Sequence, residues 1–114
     1  MRFLALYTPD TKRAGVPISE EHQAEMGKFI NESMRTGVLL ATGGLLPSSK
    51  GGLIVRSAAG SITVTDGPFT EAKESIGGFA LLEVKSTDEV IECTKQFLAI
   101  AGDGQTELRQ IMEP

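Results

Sequence analysis

Two segments of this chain, Val38-Leu39-Leu40 and Phe79-Ala80-Leu81-Leu82, are apolar on consecutive residues, and no other feature narrows the possible folds as much. Successive side chains of a strand point to opposite faces of a sheet, so each run needs cover on both sides. Two helices are available to provide it. Ser19 caps the first, with Glu20 and Glu21 at the positive end of its dipole and Arg35 near the negative end. Met26, Phe29, Ile30, Ser33 and Met34 recur at helical spacing as its buried stripe, and Gly37 ends it. The second helix opens on a capping box, Ser86 with Glu89 three residues later. It turns Val90, Ile91, Thr94, Phe97, Leu98 and Ala101 to the core and stops at Gly102.

Strands are expected at residues 2–7, 38–46, 78–84 and 107–112, with a hairpin of 53–56 and 61–65 inserted after the second. Residues 8–17 read as a loop. The order strand, helix, strand, hairpin, strand, helix, strand predicts an α+β domain over residues 1–114, an antiparallel sheet with both helices on one face. In the hairpin, Ile62 and Val64 alternate with Ser61, Thr63 and Thr65, so one of its faces is wet or lines a cleft. The helices leave one face of the main sheet bare, and the simplest cover for it is a second copy related by two-fold symmetry. A homodimer is therefore expected.

A net charge of −4 and a pI near 5.0 argue against direct nucleic-acid binding, which needs a basic face. One cysteine, Cys93, excludes an internal disulfide and a cysteine-built metal cage, and one histidine, His22, makes a transition-metal centre a poor fit. No metal is expected. Neither a signal peptide nor a membrane-spanning apolar run stands out, so the sequence reads as a cytoplasmic protein. The Gly43-Gly44 and Gly51-Gly52 pairs lack phosphate-loop spacing and read as turns or bulges. Cys93 reads as a small core residue.

The run Asp66-Gly67-Pro68-Phe69-Thr70-Glu71-Ala72-Lys73-Glu74 sets charged groups on a constrained turn between two strands. Such a turn suits a binding site and equally suits a structural corner. With Ile76-Gly77-Gly78-Phe79, it resembles the signature of the DGPF branch of the YCII-related proteins. The opening Met1-Arg2-Phe3-Leu4-Ala5-Leu6-Tyr7, the segment Gly37-Val38-Leu39-Leu40-Ala41-Thr42-Gly43-Gly44-Leu45 and Gly102-Asp103-Gly104 fit it too. The resemblance implies a ferredoxin-like domain pairing into a dimeric α+β barrel. Relatives of that fold include a dehydrochlorinase, and the wider group includes cofactor-free monooxygenases. The classical branch is associated with a His-Asp pair, whose histidine position here falls near Met26 and not at His22.

Two functional readings follow. In the first, a small molecule sits in a cleft beside the charged turn, with no organic cofactor. His22 and Asp66 are then the catalytic acid-base candidates, His22 because imidazole titrates near neutrality. Tyr7, Glu71, Lys73, Glu74 and Arg109 are the substrate-binding candidates, Lys73 and Arg109 as anion contacts. Each also has a structural reading: an exposed helix histidine, an Asx turn at Asp66, a solvated Glu pair, ion pairs for Lys73 and Arg109. In the second reading the dimer is a noncatalytic accessory or regulatory module. The resemblance links such modules to alternative sigma-factor transcription regulation, with a protein partner or a sensed ligand instead of DNA.

Overall fold

The computed structural model describes residues 1–10, 19–47, 50–66 and 76–113. The elements run β1 (Arg2–Pro9), α1 (Glu20–Arg35), β2 (Leu39–Gly44), β3 (Leu53–Ala58), β4 (Ser61–Asp66), β5 (Gly78–Glu83), α2 (Thr87–Ala101) and β6 (Gly104–Gln110). Four strands form one antiparallel sheet in the order β2-β5-β1-β6, and among the described residues β3 and β4 pair only with each other. This is the expected ferredoxin-like α+β arrangement with an inserted hairpin.

Both helix starts follow the expected chemistry. The Ser19 hydroxyl accepts from the His22 backbone N–H at 3.2 Å, and the Ser86 hydroxyl accepts from the Glu89 N–H at 3.1 Å. The Glu89 carboxylate reaches back to accept from the Lys85 N–H at 2.9 Å, one residue earlier than a capping box requires. At the far ends, Gly37 and Gly102 take positive φ values of 83° and 92°, which only glycine adopts without strain.

Register assigns the faces. Ala5 lies opposite both Ala80 and Leu108, and Phe3 lies opposite Leu82. These residues share the helix side with Leu39, which also faces Leu82. Phe3, Ala5, Leu39, Leu82, Val84 and Val90 form the buried core, Val90 completely so. The alternate residues Leu4, Leu6, Phe79 and Leu81 point to the helix-free side and are only half-buried.

Several expectations shift by a few residues. The second strand covers 39–44, not 38–46, and a register slip between Leu39 and Ala41 leaves Leu40 42% exposed. The last strand starts at Gly104, three residues early, because Gly104 pairs with Pro9 at the far end of β1. Met34 and Ile91, read as core residues, are 46% and 41% exposed, and α1 has no fully buried side chain. The rest of its stripe, Met26, Phe29, Ile30 and Ser33, is half-buried around a cavity.

The hairpin departs most from a compact fold. Every residue of β3 and β4 is exposed. Its two-residue turn, Ala59-Gly60, has φ values of 50° and 83°, the left-handed pair that matches the twist of a tight hairpin. The radius of gyration is 16.2 Å, against roughly 13 Å for a compact chain of this length. The hairpin is an arm, not a layer.

Candidate functional site

Between the helix side of the sheet and the two helices lies a cavity of about 510 Å³, within the usual range for a small-molecule site. β1 contributes Ala5, Tyr7 and Pro9 to its wall, and α1 contributes Met26, Phe29, Ile30 and Ser33. The α2 wall is Cys93, Thr94, Phe97 and Ala101, while β2, β5 and β6 add Thr42, Ala80 and Thr106 among others. Tyr7 and Phe97 meet edge to face, with ring centroids 5.2 Å apart at 86°, and so join β1 to α2 at this wall. One glycine keeps the wall close: a Cβ on Gly104 would stand 2.6 Å from the Thr8 carbonyl oxygen and 3.0 Å from the Tyr7 hydroxyl. On the opposite, helix-free face a Cβ on Gly43 would stand 2.9 Å from the Phe79 ring.

The described lining carries no Asp, Glu, Lys, Arg or His. Its polar side chains are neutral and partly spent on the backbone. Thr42 Oγ1 donates to the Phe79 carbonyl at 2.8 Å, and Thr94 Oγ1 donates to the Val90 carbonyl at 2.7 Å. Thr106 Oγ1 is buried without a hydrogen-bond partner among the described residues. Cys93 is held protonated: burial pushes its thiol pKa up, and the nearby negative charge of Glu89 adds to the rise. An ionised guest would leave water and find no countercharge on these walls, a costly exchange.

The expected site residues divide between different parts of the molecule. Tyr7 lines the cavity. His22 is exposed on the first turn of α1, and Asp66 is exposed at the end of β4, opposite Leu53 on the arm. Neither lines the cavity. Arg109 pairs with Leu4 across β1 and β6, so it belongs to the helix-free face, where Arg2 meets Glu83 at 3.6 Å. Glu71, Lys73 and Glu74 lie outside the described residues. Position 26, where the resemblance puts the family histidine, is a Met in the α1 wall.

Sequence reasoning missed Phe29, Ser33, Phe97 and Thr94 as lining residues because helical periodicity marks a core face without saying whether it meets atoms or space. Thr106 was missed because it fell before the expected start of the last strand. Among the described residues, no helix is long and apolar enough to cross a membrane.

Comparison with known proteins places this geometry. Residues 1–113 match the YCII-related domain. No curated protein matches the chain. One similar solved structure is the 5-chloro-2-hydroxyhydroquinone dehydrochlorinase from Burkholderia phenoliruptrix AC1100, in complex with 2,5-dihydroxybenzoquinone. The two share 17% identity with a TM-score of 0.60, over 100% of this chain and 96% of the other. At that identity the likeness establishes a common fold.

Proposed function

The chain belongs to the YCII-related family, and we propose that it binds an uncharged, largely apolar small molecule in the cavity between its helices and its sheet. The observation that carries this reading is the absence of any charged side chain from the described walls of a 510 Å³ space. The similar dehydrochlorinase was solved with a small ring compound, which agrees with a fold suited to such guests. Tyr7 is the proposed polar contact, since it stands on the wall with Phe97 packed against its ring. The Asp66-Gly67-Pro68-Phe69 run supports assignment to the DGPF branch.

A sensing or accessory role gains support from one feature: His22 and Asp66, the acid-base candidates, stand on exposed surface and not in the cavity. Holding a ligand needs nothing more than the walls described. Turnover would need a proton donor or acceptor at the guest.

The test pairs 1-naphthol with 1-naphthoate. Naphthol raises the melting temperature saturably, naphthoate does not, and Ser33→Phe, which fills the space from α1, abolishes the naphthol effect. Equal binding of both compounds, or naphthol binding that survives Ser33→Phe, refutes the reading.

The chain also forms, on this reading, a homodimer through its helix-free sheet face. Leu4, Leu6, Phe79 and Leu81 give that face an apolar centre, and Arg2, Glu83, Glu107 and Arg109 lie on the same side by register. Sedimentation of the full chain gives two subunits, and Leu6→Glu gives one. A wild-type monomer at about 100 μM, a concentration that even a weak dimer withstands, removes the proposal.

A further inference from the structure

We infer that the β3–β4 arm is an intersubunit clamp, whose apolar face packs on a second copy of this chain. The inference rests on the dimer proposed above and adds the contact that completes it.

Register makes the arm two-faced. Val55 lies opposite Val64, Ser57 opposite Ile62, and Leu53 opposite Asp66. Directly opposed residues share a face, and so do alternate residues of one strand, so Leu53, Val55, Ile62 and Val64 are neighbours on a single side. The other side carries Arg56, Ser61, Thr63 and Thr65, with Ile54 as its main apolar residue. Exposure of the four neighbours is nearly uniform: Leu53 60%, Val55 63%, Ile62 65% and Val64 62%. A ribbon meant for water would have no reason to segregate its apolar residues in this way. An isolated two-stranded hairpin is marginal in water, so this one needs something to lie against. Every one of its residues is exposed, and no other described element pairs with it.

Area favours a second copy as the occupant. A standard stable interface takes roughly 800 Å² from each partner. On the sheet face Leu4, Leu6, Phe79 and Leu81 are already half-buried by their neighbours and offer only part of their surface. The arm adds four apolar side chains that are 60–65% exposed, together with the ribbon's backbone and flanking polar groups. A pair that takes in the arm therefore buries more apolar surface than one built on the sheet face alone. Placement agrees. The arm is inserted between β2, an edge strand, and β5 beside it, so it leaves from the margin of the sheet. Each of its strands has six residues, a reach of about 20 Å. That is enough to pass the rim and grip a copy seated on the helix-free face. A two-fold pair makes the exchange reciprocal, one arm for each body.

The experiment uses the full chain, wild type and Val55→Lys with Val64→Lys. These side chains are exposed in the single chain, so circular dichroism should not change. Self-association, read by sedimentation equilibrium, should weaken about 100-fold, as expected when buried apolar contacts give way to charges at two symmetric places. Hydrogen exchange on the wild type gives an answer that needs no variant. Arm amides at 53–66 should exchange at least about tenfold more slowly above the dimer constant than below it. A wild-type dimer whose constant is unmoved by the double variant, or whose arm exchanges at one rate across that range, overturns the clamp and leaves the dimer standing. A wild-type monomer overturns both. Binding of the arm to lipid vesicles by a chain that stays monomeric would give the apolar face to a membrane, and would also overturn it.

Discussion

The four-stranded body and the two-stranded arm are built by the same antiparallel pairing, yet they end in opposite states. In the body, alternation along β1 sends Phe3 and Ala5 into a core with Leu82 and Val90, and their exposures fall to 6%, 7%, 8% and 0%. In the arm, the same alternation gathers Leu53, Val55, Ile62 and Val64 and leaves them exposed. Pairing therefore decides which residues stand together, and only a second layer decides whether they are buried. The cavity belongs to the body for the same reason: α1 and α2 supply a layer, but one that stands off the sheet where Met26, Phe29 and Phe97 meet space.

Truncation gives the largest contrast. Phe3→Ala should cost about 3–5 kcal/mol in urea unfolding, the usual range for emptying a buried aromatic site. Val64→Ala should stay within about 0.5 kcal/mol in a chain dilute enough to be monomeric, as exposed substitutions do. Similar losses at the two positions would make the arm part of the core and dissolve the distinction. A second, smaller effect concerns how tightly the body is closed. Gly104→Ala should cost about 1–3 kcal/mol, because the new methyl meets a backbone oxygen, Thr8 O, that cannot swing aside. Gly60, which meets nothing within 4 Å but has φ of 83°, is the arm's counterpart, and alanine there is opposed only by backbone conformation.

The smallest effect is one of pH. The Cys93 thiol, raised by burial and by Glu89, should be alkylated more slowly at pH 8 than a free cysteine and should catch up only in stronger alkali. A raised acid pKa means the folded chain keeps a proton that the unfolded chain gives up. The associated stability is thus whole below the ordinary thiol range near about 8.5 and is lost as pH climbs through the folded value. Rapid alkylation at pH 8 would mean that α2 does not pack as closely over the sheet as described.

The fold was legible because its cues are local and redundant. Ser19 and Ser86 mark helix starts, Gly37 and Gly102 mark ends, and the runs at 38–40 and 79–82 require a covered sheet. The candidate site was legible in one residue, Tyr7. Residues in the charged run attracted attention because charge signals chemistry, but the described walls of the cavity are neutral, and neutral walls look like core in a sequence. Met26, Phe29 and Phe97 show the difficulty: their spacing is that of packed side chains, and the gap beside them depends on how far two helices stand from a sheet. The arm was read as a hairpin correctly, but a pattern of alternation carries no information on whether the apolar side finds a lid.

Described walls without fixed charge have a consequence for how acidity governs occupancy of the chamber. Those walls have little to titrate near neutrality, with Cys93 kept protonated, so a weak acid would enter in its protonated form and leave once ionised. The midpoint of such a profile would track the guest's own dissociation constant and shift with each compound tried, the host acting as an indifferent solvent.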